Sequence, residues 1–191
     1  MASHFTSLQH SKLHQGTILK SEADRARVSR HSPATEVMTD LQHAAAYTIK
    51  PTASITEAEN KMILCSVKLL FVTDMNDELS GLITATDILG KRSLNYLREH
   101  GGSRDGIMVQ EIMTHRDAIE AISYPEVVRA CVGDIVATLH NVGRQHVLVV
   151  EKDCVRGLFS STTVARLIGE AVDIDVRART FAELGAALVS H

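Results

Sequence analysis

The sequence has no tryptophan, and aromatic residues make up only 4% of its 191 positions. Proteins that bind single-stranded nucleic acid stack bases on aromatic side chains, and such platforms are scarce here. The formal net charge is -3. Proteins that bind a phosphate backbone usually carry an excess of clustered Lys and Arg residues, which this sequence lacks. We therefore expect no nucleic-acid partner.

Cysteine and long apolar runs are scarce as well. The three cysteines, Cys65, Cys131 and Cys154, are far apart and form no CxxC pair, which indicates small buried residues in a reducing compartment. Nowhere do 18 consecutive apolar residues occur, and residues 1–16 have no apolar core of a signal peptide. We expect a cytoplasmic protein with no membrane partner.

The common motifs of catalysis are also missing. The sequence contains no GxGxxG, no phosphate-binding GKS or GKT, and no GxSxG nucleophile elbow. His10 and His14 are spaced as on one helix face, but no HExxH arrangement or nearby cysteine accompanies them. We expect no catalytic residue, no metal site and no catalytic cofactor, and an enzyme is the least favoured class.

What the sequence does contain is an internal repeat. Val37-Met-Thr39 recurs 75 residues later as Ile112-Met-Thr114, and Gly81-Leu-Ile-Thr84 recurs 76 residues later as Gly157-Leu-Phe-Ser160. Each half shows the same predicted order of strand, helix, strand, strand and helix. In the first half these elements are Tyr47–Lys50, Ile55–Cys65, Leu69–Val72, Leu79–Ile83 and a helix from Thr86; in the second they are Ile119–Ile122, Val128–Leu139, Val147–Val150, Val155–Phe159 and Thr162–Ile168. The repeat predicts an α/β (α+β) fold.

Composition sets the expected boundaries around the two copies. Residues 1–33 are polar and basic and predict a mobile tail, while the first copy spans residues 34–95. A glycine-rich stretch predicts a linker over residues 96–110, followed by the second copy over 111–169. Residues 170–191 form a C-terminal tail, in which the spacing of Thr180 and Glu183 predicts a short helix.

The predicted long helices carry apolar stripes. Ile55, Ala58, Met62 and Cys65 recur at helical spacing in the first half, and Ile135, Leu139 and Val142 do so in the second. We take these stripes as candidate surfaces for pairing with a second copy of the chain.

One short motif suggests binding chemistry. Gly81-Leu-Ile-Thr84-Ala-Thr86-Asp87 places a hydroxyl and a carboxylate three residues apart where a strand passes into a helix. A helix start can hold an anion, and an ionised carboxylate can accept from two ribose hydroxyls. Taken alone, Thr84 and Asp87 are equally explained as a helix cap, with a carboxylate at its third position.

The element order, the two Met-Thr pairs and the motif together resemble the CBS-motif family over residues 36–169. In that family two motifs pack pseudo-symmetrically through their sheets, and the two clefts between them take adenosine-containing ligands. The resemblance implies two tandem CBS motifs of this kind, each built as strand-helix-strand-strand-helix.

The resemblance also implies roles for individual residues. Thr84 would contact phosphate and Asp87 the ribose, while further nucleotide contacts would come from the adenine-lining Ile119, Glu120 and Ala121 and from the phosphate-facing basic residues Arg144, Lys68 and His146. For Lys68 and His146, plain solvation at a strand entrance explains a basic residue as well. If His146 faces phosphate, affinity should rise on acidification through its titration range.

The second copy departs from the motif. Ser160 keeps the hydroxyl, but Thr163 stands where the ribose-binding carboxylate would be. A single neutral hydroxyl cannot hold a ribose diol as a carboxylate does. We expect this degenerate second site, which Ala46 and Tyr47 would line, to be weak or empty.

These features favour a non-catalytic regulatory module with an adenine nucleotide as its regulatory ligand, AMP, ADP or ATP being favoured. The resemblance implies a homodimer, and we expect the effector to be another protein, since these residues contain no recognisable effector domain. The alternative is a ligand-free structural or dimerisation scaffold. Replacement of Asp87 discriminates between the two hypotheses.

Overall fold

The computed structural model of the protein describes residues 9–18 and 28–172. The helix predicted from Thr180 and Glu183 lies outside these residues, as does part of the predicted N-terminal tail. Residues 28–33 of that tail lie against the second half of the chain, where the Arg30 guanidinium pairs with Glu170 at 2.9 Å. In the described part, no helix is both long and apolar enough to cross a membrane.

The first half is built from short strands and helices in the predicted order. Its helix α1 begins at a capping box, in which the Glu57 carboxylate accepts from the Ser54 backbone N–H at 2.8 Å. Its elements are β1 (Thr39–Asp40), β2 (Thr48–Ile49), α1 (Ile55–Leu64), β3 (Leu69–Thr73), β4 (Leu79–Thr84), α2 (Ala85–Leu89) and α3 (Lys91–His100).

The second half repeats this order after a connecting segment. Its elements are α4 (Val109–Ile112), β5 (Thr114–His115), β6 (Ala121–Ser123), α5 (Tyr124–Arg129), α6 (Val132–Val142), β7 (His146–Glu151), β8 (Cys154–Ser160) and α7 (Ser161–Ile168). The predicted linker, residues 96–110, holds the end of α3 and the start of α4. It is partly helical because Tyr96 and Leu97 pack against the first-half core.

The single helix predicted over Val128–Leu139 is wrong, because the structure has α5 and α6 there with an extended break between them. Ala130 has a ψ of 156°, and its carbonyl accepts from the Ala34 backbone N–H at 3.0 Å. Helix α6 then restarts at its own cap, where Asp134 accepts from the Cys131 backbone N–H at 2.8 Å. Pairing with the chain before β1 therefore interrupts the helix.

The strands form two four-stranded sheets, ordered β2-β3-β4-β5 and β1-β8-β7-β6. The strand that precedes each half therefore pairs with the other half: β1 lies beside β8, and β5 beside β4. A Cβ atom on Gly81 would stand 2.5 Å from the Thr114 carbonyl oxygen, and one on Gly157 would stand 2.6 Å from that of Thr39. Glycine at both positions permits this close crossing, which explains why the repeat keeps it.

The two sheets face each other across a shared apolar layer, in agreement with the predicted pseudo-symmetric packing. This layer consists of Leu69, Phe71, Leu82, Leu148 and Leu158. The outer face of each sheet packs on its own helices and forms a separate core.

The apolar stripes are part of these helix-facing cores. Ile55, Ala58 and Met62 are buried in the first half, as are Ile135 and Leu139 in the second. The prediction that the stripes are exposed pairing surfaces is therefore wrong. An amphipathic helix turns its apolar stripe toward its own sheet when that sheet offers an uncovered apolar face.

Candidate functional site

A cleft of about 480 Å³ opens where the two halves meet. The first half contributes the end of β4 and the start of α2 and α3, and the second contributes β5 and the segments before β6 and β7. Its lining residues are Leu69, Leu82, Thr84, Thr86, Asp87, Lys91, Arg92, Asn95, Thr114, Ile119, Glu120, Val142, Gly143, Arg144, Gln145 and His146.

Thr84 and Asp87 form a reciprocal cap at the start of α2. The Thr84 backbone N–H and hydroxyl donate to Asp87 Oδ2 at 2.9 and 2.6 Å, and the Asp87 N–H donates to the Thr84 hydroxyl at 3.2 Å. The geometry therefore confirms the helix-cap explanation of this motif. It leaves Asp87 Oδ1 outside the cap and at the cleft, so the cap and a ligand role are compatible.

Arg92 occupies the same corner of the cleft. Its Nη1 atom lies 3.3 Å from Asp87 Oδ1 and donates to the Ile112 carbonyl at 3.0 Å and to the Thr114 hydroxyl at 3.1 Å. Arg92 is not among the residues predicted from the sequence. The available signal is the adjacent Lys91-Arg92 pair directly after Gly90, which the motif ending at Asp87 does not include.

Arg144 reaches the cleft from the second half. Helix α6 ends at Val142, and Gly143 adopts the left-handed region with φ of 63°, which turns the chain into the cleft. The Arg144 guanidinium then donates from Nη1 to the Thr114 hydroxyl at 3.4 Å. Two arginines from different halves thus meet at one threonine.

One wall of the cleft is apolar. Leu69 and Leu82 are 8% and 7% exposed and belong to the layer between the sheets, while Ile119 packs against the same layer. Together with Val142 they offer a surface on which a flat apolar ring can lie. The cleft therefore pairs an apolar wall with a cationic corner.

His146 lines the cleft as an uncharged group. Burial lowers the pKa of its imidazole to about 4, although the nearby Asp87 carboxylate opposes this shift and the Lys68 ammonium adds to it. The titration range relevant to the predicted rise in affinity therefore lies near pH 4 rather than near the ordinary histidine value.

The structure brings six of the eight predicted contacts of the first site together. Thr84, Asp87, Ile119, Glu120, Arg144 and His146 all line the cleft. Ala121 instead lies in β6 paired with Leu148, and Lys68 lines a neighbouring groove beside α1 and α2. Contact of any of the eight with a ligand stays a prediction.

The predicted second site, around Ser160 and Thr163, lacks the cap and the arginine seen in the first site. Ser160 precedes α7 but makes no side-chain capping hydrogen bond, unlike Thr84. Val67 stands two residues before β3, as Arg144 stands two residues before β7, and it packs with Tyr47 against the first-half core. Whether Ser160, Thr163, Ala46 and Tyr47 hold a ligand stays a prediction.

Metal-binding side chains do not cluster in the described ranges: no three His, Cys, Asp or Glu residues lie together there.

Comparison with known proteins gives one match to a family model and one shared fold. Residues 34–93 match the model of the CBS domain. No curated protein matches the sequence significantly.

Several solved structures share the architecture. A conserved protein from Pyrococcus horikoshii is 22% identical, with 73% of this chain and 93% of that chain covered and a TM-score of 0.55. The CBS domain protein TA0289 from Thermoplasma acidophilum is 18% identical, with 76% and 74% covered and a TM-score of 0.56. CBSX2, a CBS-pair protein from Arabidopsis thaliana, has been solved in complex with AMP; this complex is 22% identical, with 71% and 94% covered and a TM-score of 0.51.

Proposed function

We propose that this chain is a regulatory module that binds an adenine nucleotide in the cleft beside Asp87. Its residues 34–93 match the model of the CBS domain, and its described part shares the fold of solved CBS-domain structures. The main support is that the Asp87 carboxylate and two arginines from different halves lie close together in a cleft with an apolar wall. AMP, ADP and ATP are the favoured ligands.

Each part of a nucleotide has a matching surface in the cleft. The base would lie on the apolar wall formed by Leu69, Leu82 and Ile119. The ribose hydroxyls would donate to Asp87 Oδ1, which lies outside the helix cap. The phosphate would meet Arg144, whose planar guanidinium matches phosphate oxygens.

The similar protein CBSX2 supports this ligand class, because its structure contains AMP. The cleft supports a regulatory role, because a molecule held by residues of both halves stabilises one arrangement of those halves. The output would pass to another protein, and we propose that the module acts as a homodimer in the cytoplasm.

Thermal unfolding and calorimetric titration test the proposal with AMP, ADP, ATP, adenosine, NAD and S-adenosylmethionine. A ligand at 100 times its dissociation constant should raise the unfolding free energy of the wild-type chain by about 2.7 kcal/mol. Asp87→Ala should abolish that ligand-dependent gain.

Asp134→Ala is the matched control, since Asp134 holds the same third position of a capping box but does not line the cleft. Asp87→Ala should lose about 1 kcal/mol of ligand-free stability through its cap, and Asp134→Ala should also lose stability through its own cap. Affinity lost in Asp87→Ala but kept in Asp134→Ala supports the binding module. If no adenosine compound stabilises the wild-type protein, the scaffold hypothesis replaces it.

A further inference from the structure

Two positive charges in the cleft converge on one neutral group. Arg92 Nη1 and Arg144 Nη1 lie 3.1 and 3.4 Å from the same Thr114 hydroxyl oxygen. Thr114 belongs to β5, the strand that crosses to the first-half sheet, so the crossing itself places the two guanidiniums together. Like charges brought this close repel each other, and Asp87, 3.3 Å from Arg92, offsets part of that repulsion.

The acidic groups of the cleft only partly balance this charge. Asp87 and Glu120 line it against Lys91, Arg92 and Arg144, and the low pKa of His146 leaves that side chain uncharged. Asp87 also commits one of its oxygens to the Thr84 cap. Three cationic and two anionic side chains therefore give the charged lining a net positive charge.

The repeat within the chain supplies an internal comparison. In the second copy, the position of Asp87 is Thr163, and the same offset of 76 residues places Ile168 at the position of Arg92. The position of Arg144 relative to its strand is taken by Val67 in the first copy. The half-site without the carboxylate therefore lacks both guanidiniums as well, which indicates that the three groups serve one ligand.

We propose that Arg92 is a specificity-determining residue that contacts the phosphate of the bound ligand and so selects anionic adenosine compounds over neutral adenosine. This inference rests on the proposed function. The Arg92 side chain is 44% exposed, so it has room to turn from Asp87 toward an incoming phosphate. That movement releases Asp87 Oδ1 to accept from the ribose, which couples phosphate recognition to ribose recognition.

Calorimetric titration of AMP and of adenosine into wild-type, Arg92→Gln and Arg98→Gln protein tests the proposal. Arg98 lies on the same helix α3 and is exposed, but it does not line the cleft, so its replacement removes an equal charge elsewhere. We expect Arg92→Gln to weaken AMP binding roughly tenfold or more, as a charge-assisted hydrogen bond is lost. Adenosine binding should stay the same or become tighter, and Arg98→Gln should bind both ligands as the wild type does.

Three outcomes would overturn the proposal. If Arg92→Gln weakens AMP and adenosine binding equally, Arg92 acts only by holding the cleft in shape. If AMP binding does not change, the phosphate lies elsewhere. If wild-type protein binds neither ligand, nor any other adenosine compound, the proposed function itself fails.

Discussion

At the scale of single residues, His146 shows how burial in the cleft sets the charge of a side chain. His146 is the first residue of β7 and lines the cleft. Burial is the largest cause of its low pKa, because a charged ring would lose hydration that its neighbours do not replace. Near neutral pH, the His146 imidazole is therefore a neutral group at the cleft.

The low pKa of His146 predicts an acid-sensitive fold. The unfolded chain takes up this proton near its ordinary pKa of 6.5, whereas the folded chain does so only near pH 4. Because the unfolded state binds more protons between these values, the unfolding free energy should fall as the pH falls from about 6.5 to about 4, by up to roughly 3 kcal/mol. Urea denaturation across this range measures the effect.

His146→Gln should flatten that part of the pH profile, since it removes the titrating group. His140→Gln is the control, because His140 is exposed on α6 and should leave the profile unchanged. An unchanged slope in His146→Gln would show that another group titrates.

At the scale of elements, β1 is the strand whose position needs the most explanation. It is only two residues long, and it pairs with β8 at Thr39 and Asp40. Side chains hold it as well: the Asp40 carboxylate pairs with the mostly buried Arg156 guanidinium, which lies over the Tyr124 ring at 4.8 Å. The ion pair thus helps to hold β1, from the first half of the chain, against the sheet of the second half.

Asp40→Asn should cost about 1–3 kcal/mol of unfolding free energy, because it removes one of two carboxylates from a poorly hydrated guanidinium and leaves only the longer contact of Arg156 Nε with Glu151, at 3.4 Å. Asparagine keeps the oxygen that accepts from the Gln42 backbone N–H, so the local turn should survive. Chemical denaturation measures the loss.

Asp117→Asn is the control: its ion pair with Arg116 is highly exposed and should contribute less than about 1 kcal/mol. Equal losses in the two variants would argue against the fastening role of Arg156.

At the scale of the whole molecule, burial of the apolar stripes changes where a second copy can bind. The apolar side chains that α1 and α2 leave exposed are Ile63, Leu64 and Leu89, at 71%, 85% and 64%. Ile63 and Leu89 line the groove beside α1 and α2. Exposed apolar groups gathered beside a groove are typical of a protein–protein contact.

The proposed homodimer therefore predicts that Ile63→Lys combined with Leu64→Lys yields a monomer, since two desolvated ammonium groups would oppose association. Light scattering after size-exclusion chromatography reads the molecular mass. Met75→Lys serves as the control, because Met75 is 87% exposed but lies in the turn between β3 and β4. A dimer that survives the double substitution would place the interface elsewhere, and a monomeric wild type would refute the homodimer.

The residues that sequence alone identified are those whose role follows from local order. The repeat of strand, helix, strand, strand and helix follows from apolar periodicity, and Thr84 with Asp87 follows from the junction of a strand and a helix. Glycine at 81 and 157 marks both copies because each lies against a crossing backbone. These features depend on neighbours within a few residues or on comparison of one half with the other.

Tertiary structure decided what depends on contacts between distant segments. The break between α5 and α6 follows from pairing with the chain before β1, and the burial of the stripes follows from the sheet beneath them. Arg92 joins Asp87 and Arg144 only because β5 crosses to the other half and places Thr114 between the two arginines. The charge state of His146 follows from burial, a property of the assembled molecule that periodicity in a sequence does not contain.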